Sequence, residues 1–436
     1  MRGGRLGLGA ALVLLAATPC VAEERFTFSV EEVGPRPVEL GGHAELRLDW
    51  TRWRTGSPYR RLARPGGQPA SSLRAQPGLT LNGLVRSGPF RLVASGNAAY
   101  LADSTAPGRG SAVLYEGYGL YEWAPGNAVA AGKRVQRWSK SYAFQPVGFV
   151  ERARDPTEPD QAREGFWMAT LEWTRSITGG GPLQSVGVTG VLLPVTPDLN
   201  REVSPDRGLN GGVRLSSLVA DTDVDLYGFT GPSRSTRLGA GVGRNLAPEL
   251  VVYAEAAWAA EEPRPVIDPA SGRLRRLASG GISGLVGLRW QTPTDTTVIV
   301  EYLHNGTGYT RDQFADALEA IDRAGDRIAA GLPAAPGDEV ARSLARVLQR
   351  PQPLRDYVYL RLSHREPWNL LYVTPALTVI VDAGNGSATI QPEVVYTRFT
   401  DLELRLRAQA TVGESGSDFG ARASSARVEL RLRAFF

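Results

Sequence analysis

Cysteine is almost missing from this sequence of 436 residues; the one present is Cys20. If a leader ending near residue 22 is removed, no thiol remains, which excludes disulfides, thiolate metal sites and cysteine nucleophiles together. Histidine is scarce as well, with His43, His304 and His364 only. His364 follows Ser363, and neighbours along a strand point to opposite faces, so this pair with Asp356 makes no catalytic triad. His43 and His304 are isolated, and no His-x-x-x-His or carboxylate cluster offers a metal site. Beyond Ala22 no apolar run is long enough for a transmembrane helix. A short-period repeat is also absent, which argues against a propeller or solenoid. So is any large excess of one charge: the net charge of +4 falls to +2 once Arg2 and Arg5 leave with a leader. That is too little for a nucleic-acid surface. No enzyme, cofactor or metal reading finds its full set of roles here.

What is present begins with the leader. Arg2 and Arg5 precede an apolar run from Leu6 to Ala17, and small residues at Cys20 and Ala22 complete a secretory signal over residues 1–22. Cys20 invites a lipoprotein reading, against which Pro19 and Ala17 argue. The other end of the chain reads A-R-V-E-L-R-L-R-A-F-F. Val428, Leu430, Leu432, Ala434 and Phe436 alternate with Arg427, Glu429, Arg431, Arg433 and Phe435, a two-faced strand. This strand resembles the closing strand of Gram-negative outer-membrane β-barrels. The resemblance implies that the barrel-assembly machinery reads the terminal aromatic, Phe436, and that the remaining partner of residues 23–436 is outer-membrane lipid.

Segments of the same alternating kind recur along the chain. They fall at 43–50, 79–85, 90–100, 112–123, 166–175, 184–193, 212–220, 223–230, 235–245, 249–259, 281–290 and 296–304, then at 356–364, 371–381, 388–398, 401–411 and 425–436. With 26–33 and 128–138 allowed for, the pattern predicts a single all-β, antiparallel transmembrane barrel of about 18 strands, 16 to 20. Fifty glycines and thirty prolines fit its many turns. Asn210-Gly211 and Asn385-Gly386 read as hairpin turns. Tyr115, Tyr121 and Trp123 share a face, and Tyr121 and Trp123 with Trp50, Trp53, Trp173, Trp258, Trp290, Trp368 and Tyr372 suggest aromatic girdles at the membrane interfaces. Residues 311–350 break the pattern with two helical stripes, Phe314, Leu318, Ile321 and Val340, Leu344, Val347. They form a two-helix insertion on the extracellular side, either a lid or constriction or a plain loop decoration.

Residues 132–165 are the least strand-like stretch. They hold Lys133, Arg134, Arg137, Lys140, Arg152, Arg154 and Arg163 against Glu151, Asp155, Glu158, Asp160 and Glu164, and three prolines forbid a continuous ladder. In a barrel such a segment can fold into a wet, polar lumen and select solutes by charge. The runs G-K-R-V-Q-R-W-S and Q-P-V-G-F, with later D-P and R-E-G, resemble a segment of the alginate-export-like channel barrels. That resemblance implies passage of an anionic polysaccharide through a pore lined by arginine and lysine. The near balance of acidic and basic residues in this segment departs from that picture. Arg405 and Arg407 on one strand, and Arg427, Arg431 and Arg433 on the next, would join one inward ladder with Asp401, Glu403 and Glu429. Such a ladder is either a track for anions or a set of cross-strand ion pairs that stiffen the wall. The sequence therefore points to an outer-membrane channel for small or polymeric anionic solutes, with Lys133, Arg134, Arg137, Arg152, Arg154, Asp155, Arg163, Glu164 and those five arginines as candidate contacts. Its rivals are a non-conducting structural or adhesive barrel and a barrel hydrolase. No cofactor is implied.

Overall fold

The computed structural model describes residues 36–63, 69–268, 273–333 and 335–436. The leader at 1–22 and the candidate strand at 26–33 lie outside the described residues. From Val38 onward the chain makes eighteen strands: β1 (Val38–Trp53), β2 (Ser71–Ser87), β3 (Phe90–Asp103), β4 (Ala106–Ala124), β5 (Asn127–Arg134), β6 (Phe166–Ser176), β7 (Leu183–Val195), β8 (Gly208–Val219), β9 (Thr222–Thr230), β10 (Arg237–Ala247), β11 (Leu250–Ile267), β12 (Leu274–Gln291), β13 (Thr296–His304), β14 (Asp356–His364), β15 (Val373–Asp382), β16 (Ala388–Tyr396), β17 (Leu402–Val412) and β18 (Ser424–Phe435). Each pairs antiparallel with the next, and β18 closes onto β1 from His43↔Phe435 to Trp53↔Ser424, with a register shift after Arg52. Closure leaves no edge strand, which is the condition for sheet in a bilayer. The eighteen are the seventeen alternating segments plus the one allowed at 128–138, so the segment at 26–33 is not needed to complete the ring.

Alternation puts the apolar side chains outside. Leu46 and Trp50 on β1, Leu79 and Leu81 on β2, and Leu430 and Leu432 on β18 are exposed, while Asp49, Glu429 and Arg431 between them are buried. On a soluble protein such a continuous exposed apolar band would be a liability; around a closed barrel it is the lipid-facing surface. Trp50, Tyr100, Trp258 and Tyr302 stand toward one rim and Phe90, Tyr121, Trp123, Trp173, Trp290 and Tyr372 toward the other, all exposed, as two girdles require. Two aromatics depart from what the sequence predicts. A bulge at Tyr115 shifts the alternation of β4, so Tyr115 does not share the face of Tyr121 and Trp123. Trp53 turns inward, donating from Nε1 to the Ser72 hydroxyl at 3.1 Å with Arg60 and Arg74 beside its ring.

The rim that carries both barrel ends has tight connections, such as 88–89, 125–126, 220–221 and 248–249, whereas the opposite rim has the long ones, including 54–70, 135–165, 305–355 and 413–423. Asn385-Gly386 lies in a turn as expected, but Asn210-Gly211 lies within β8. The hairpin after β8 turns instead at Ala220-Asp221, both at positive φ. Alanine there carries no turn signal; the conformation is held by Gln184, whose amide bonds to both the carboxylate and the backbone N–H of Asp221.

Four helices roof the rim opposite the ends: α1 (Pro58–Ala63), α2 (Arg311–Ala329), α3 (Pro336–Leu348) and α4 (Asp418–Ala421). Helix α2 starts on a capping box, with the Thr310 hydroxyl accepting from Gln313 N–H and the Gln313 side chain accepting from Thr310 N–H. It packs on α1 at one side and on β11 at the other. Since β2 and β11 stand nine places apart in a ring of eighteen, the helical layer reaches from one wall to the facing one. Gly325 permits the close approach of α1, since a Cβ there would lie 2.9 Å from that of Arg61. Arg61 also pairs with Asp322 and with Asp326. Ala317, Ile321, Leu344 and Leu348 are fully buried under this layer, the two larger types contributing about 2 kcal/mol each.

The layer changes the interior. Tyr253, Leu285, Ile299, Leu303, Tyr357, Tyr359 and Ile380 face inward from β11 to β15 and form one core with the helices and Phe144. The lumen expected to be polar throughout is therefore dry along this sector. The sequence pattern hides this, because a strand buried on its inner face and lipid-facing on its outer one reads as plain hydrophobic.

Candidate functional site

Residues 135–165 join β5 to β6 and carry no regular structure, so their backbone N–H groups need partners from elsewhere. Three buried carboxylates supply them. Glu151, within the segment, accepts from Trp138 N–H at 2.6 Å and Ser139 N–H at 2.9 Å. Glu255 on β11 accepts from Lys140 N–H at 2.5 Å and from the Ser139 hydroxyl at 2.9 Å. Glu301 on β13 accepts from Tyr142, Ala143 and Phe144 N–H, and from the Tyr253 hydroxyl at 2.6 Å. The Arg154 guanidinium donates to the carbonyls of Ser141, at 2.5 Å, and Tyr142, closing the turn from the other side. Apolar packing backs this up, with Trp138, Val147, Phe149 and Val150 buried against Phe166, Val191, Leu193, Tyr227 and Phe229 of the wall.

From there the segment crosses to the other wall. Glu158 docks between Arg407 of β17 and Arg431 of β18, the latter at 2.7 Å, and the Gln391 side chain of β16 donates to Thr157 C=O at 2.9 Å. Burial alone would raise the Glu158 carboxyl, but Arg431 and Arg407 outweigh it and hold it at about 2.

The sequence-predicted contacts fall into two groups. In the segment, Lys133 and Arg152 share Glu164, with Arg152 also on Glu202 at 2.5 Å. Arg163 pairs with Glu151 at 2.7 Å, Arg134 with Glu172 at 2.7 Å, and Asp155 accepts from Thr157 N–H at 2.9 Å. Arg137 is exposed at a cavity wall. On the barrel wall, β17 and β18 do form one ladder, with Arg405↔Arg431, Arg407↔Glu429 and Glu403↔Arg433 in register. Arg405 lies 3.2 Å from Glu403, Arg407 2.6 Å from Glu393, Arg427 2.7 Å from Asp49, Arg431 2.7 Å from Glu429, and Arg433 2.5 Å from Glu45. Every one of these five arginines has a carboxylate partner. Sequence reasoning missed the anchors Glu255 and Glu301, although Glu301 is the lone carboxylate of β13 and Glu255 interrupts the apolar run 250–260 of β11. It also missed Arg47, Arg74 and Arg109.

Glu301→Ala is expected to orphan three N–H groups of the segment, at a cost of about 3 kcal/mol to its docking. Amide exchange at Tyr142–Phe144 should then quicken ~100-fold, since each ~1.4 kcal/mol of local opening is tenfold. Exchange as slow as in the parent protein would contradict the anchoring role.

Three larger spaces lie inside the barrel, besides a small one of about 50 Å³ beside Glu158 where Arg407 and Arg427 face Asp155, Glu158 and Glu429. One of about 770 Å³, toward the rim of the barrel ends, is lined by Arg137, Lys140, Arg154, Arg163 and Arg289 with Asp160, Asp221 and Asp223. A second, of about 420 Å³ beneath the roof, is lined by Arg154, Arg234, Arg237, Arg264 and Arg350 with Glu151 and Glu262. Burial pushes Arg234 down to about 10, while its guanidinium donates to Phe149 C=O at 3.2 Å. Arg154 lines both spaces, so the segment is what separates them. The third, of about 590 Å³, lies along β1 to β4 and β18. Each of these three has more basic than acidic groups on its wall.

No protein-family model matches this chain, and no curated protein matches it in sequence. Among solved structures it is similar to variants of the Rhodopseudomonas blastica porin, two of them at 10% identity and a TM-score of 0.43 over 92% of this chain and 100% of theirs. Closure of the ring and its outward apolar band are what make this a membrane barrel. Among the described residues no cluster of metal-ligating side chains occurs.

Proposed function

We propose that the protein is a passive diffusion channel of the outer membrane for small anionic solutes, with residues 135–165 as its constriction. One observation carries this reading: a segment pinned across the lumen leaves three larger internal spaces whose walls hold more guanidinium groups than carboxylates. A fixed positive lining lowers the barrier for anions and raises it for cations. The roof of α1 to α4 favours small solutes over an extended polysaccharide, so the polymer-exporting reading that the alginate-export-like resemblance implies is the weaker one. Outer-membrane lipid around the apolar band, and assembly machinery that reads the strand ending at Phe436, complete the partners of this reading.

A second reading, a structural barrel without flux, is favoured by the dry core between the roof and β11–β15. Purified protein in planar bilayers separates the two. The channel reading expects discrete single-channel steps, and their absence at every salt concentration and voltage would establish the non-conducting barrel.

A further inference from the structure

The hydrogen bonds of the 135–165 segment are unevenly distributed around the ring. They reach β11 and β13 through Glu255 and Glu301, and β16, β17 and β18 through Gln391, Arg407 and Arg431. Near its own ends the segment is tied to β4, where Val135 N–H donates to Glu116 at 2.9 Å and Gly165 N–H to Tyr115 C=O at 2.8 Å. Among the described residues no hydrogen bond or ion pair runs from it to β2 or β3. The inner face of that stretch is polar and bonded to itself: Arg47 donates to Gln76 at 2.6 Å, and Asn97 to Thr80 at 3.0 Å.

The 590 Å³ space lies against this free wall, lined by Arg47, Arg74, Gln76, Arg109, Ser111 and Arg427 among others. Arg47 and Arg427 are committed to Asp49, and Arg74 to Asp103 at 2.7 Å. Among the four arginines of this space, Arg109 is different. It is exposed, and no hydrogen bond or ion pair holds it among the described residues. A wall guanidinium without a protein partner is available to a carboxylate or phosphate group of a solute, whereas a paired one must first give up its carboxylate. The other two larger spaces, by contrast, are separated by backbone that Glu301, Glu255 and Arg154 tie down.

We propose that solutes cross between the 135–165 segment and the β1–β4 wall, captured at the far rim by Arg109, and that the 770 Å³ and 420 Å³ spaces are side chambers off this route. The solute class is a small monoanion or dianion bearing a carboxylate or phosphate group. This rests on the channel reading above.

The test is thiol labelling of the whole protein in a Cys20→Ser background, where no other cysteine competes. Gln76→Cys and Ser111→Cys lie on the proposed route, Ser283→Cys and Asn245→Cys in the side chambers. Each is treated with a small anionic methanethiosulfonate, and the mass shift confirms the reaction. Modification at positions 76 and 111 is expected to cut single-channel conductance ~2-fold or more, as a charged adduct in a narrow pore does, with little change at 283 and 245. Arg109→Ala is expected to keep the steps but reduce the preference for anions. Block from position 283 or 245, or none from 76 and 111, would overturn the route while leaving the channel. Absence of steps from the unlabelled parent would overturn the channel reading, and the route with it.

Discussion

Replacing residues 137–163 with a short glycine–serine link is expected to raise single-channel conductance ~3-fold or more, because the narrowest cross-section of a pore dominates its resistance. The segment spans the lumen from Glu301 on one wall to Arg431 on the other, and none of the strand ladder depends on it. The closed ring should therefore survive, with heat-modifiable gel migration as the check. Removing the segment does uncover Phe166, Val191, Leu193 and Phe229. If that exposure prevents assembly, Glu301→Ala keeps the apolar packing while loosening the same segment, and it should raise conductance in the same direction by less. Conductance unchanged in both variants would move the constriction to the helical roof.

Acidification is expected to release the other anchor. Glu158 sits at about 2 in the folded protein against an ordinary 4.5, so its pairing with Arg431 and Arg407 stabilises the docked segment at all pH values above about 4.5. That contribution, about 3 kcal/mol, is lost progressively as pH falls from 4.5 through about 2. Other charges around it act on the same arginines: Glu393 and Glu429 beside Arg407, and Glu429 and Glu45 beside Arg431. Glu158→Gln separates them, since it removes one charge at neutral pH and leaves the wall carboxylates intact. The parent should show flat conductance above pH 4.5 and larger, noisier steps toward pH 2. The variant should already show such steps at pH 7 and change less on acidification. A variant indistinguishable from the parent at pH 7 would show that Gln391 and the strand-side anchors hold the segment without Glu158.

Much of this barrel was legible in the sequence, because lipid outside and charge inside impose a period of two that survives without any knowledge of the fold. Strand β18 is the clearest instance, and its arginines stand on the ladder that their parity implied. Tyr115 was misplaced because a bulge adds one residue without leaving a compositional mark. The dry sector was not legible for a different reason: Ile299, Leu303 and Tyr357 are inward positions whose apolar character makes sense only once α2 and α3 cover them. The candidate site divides likewise. The segment at 132–165 announced itself by charge and proline, but where it crosses depends on Glu255 and Glu301, which lie more than a hundred residues away in sequence. Arg109 stands out only after the other arginines of its own space, Arg47, Arg74 and Arg427, have been matched with their carboxylates.

On the proposed function, the arginine-rich interior makes this barrel an anion-preferring channel. The reversal potential of the purified protein across a salt gradient in a planar bilayer tests it most directly. An anion-preferring pore gives a potential displaced toward the anion equilibrium value, and displaced less in Arg109→Ala; a potential displaced toward the cation value in the parent protein would contradict that preference.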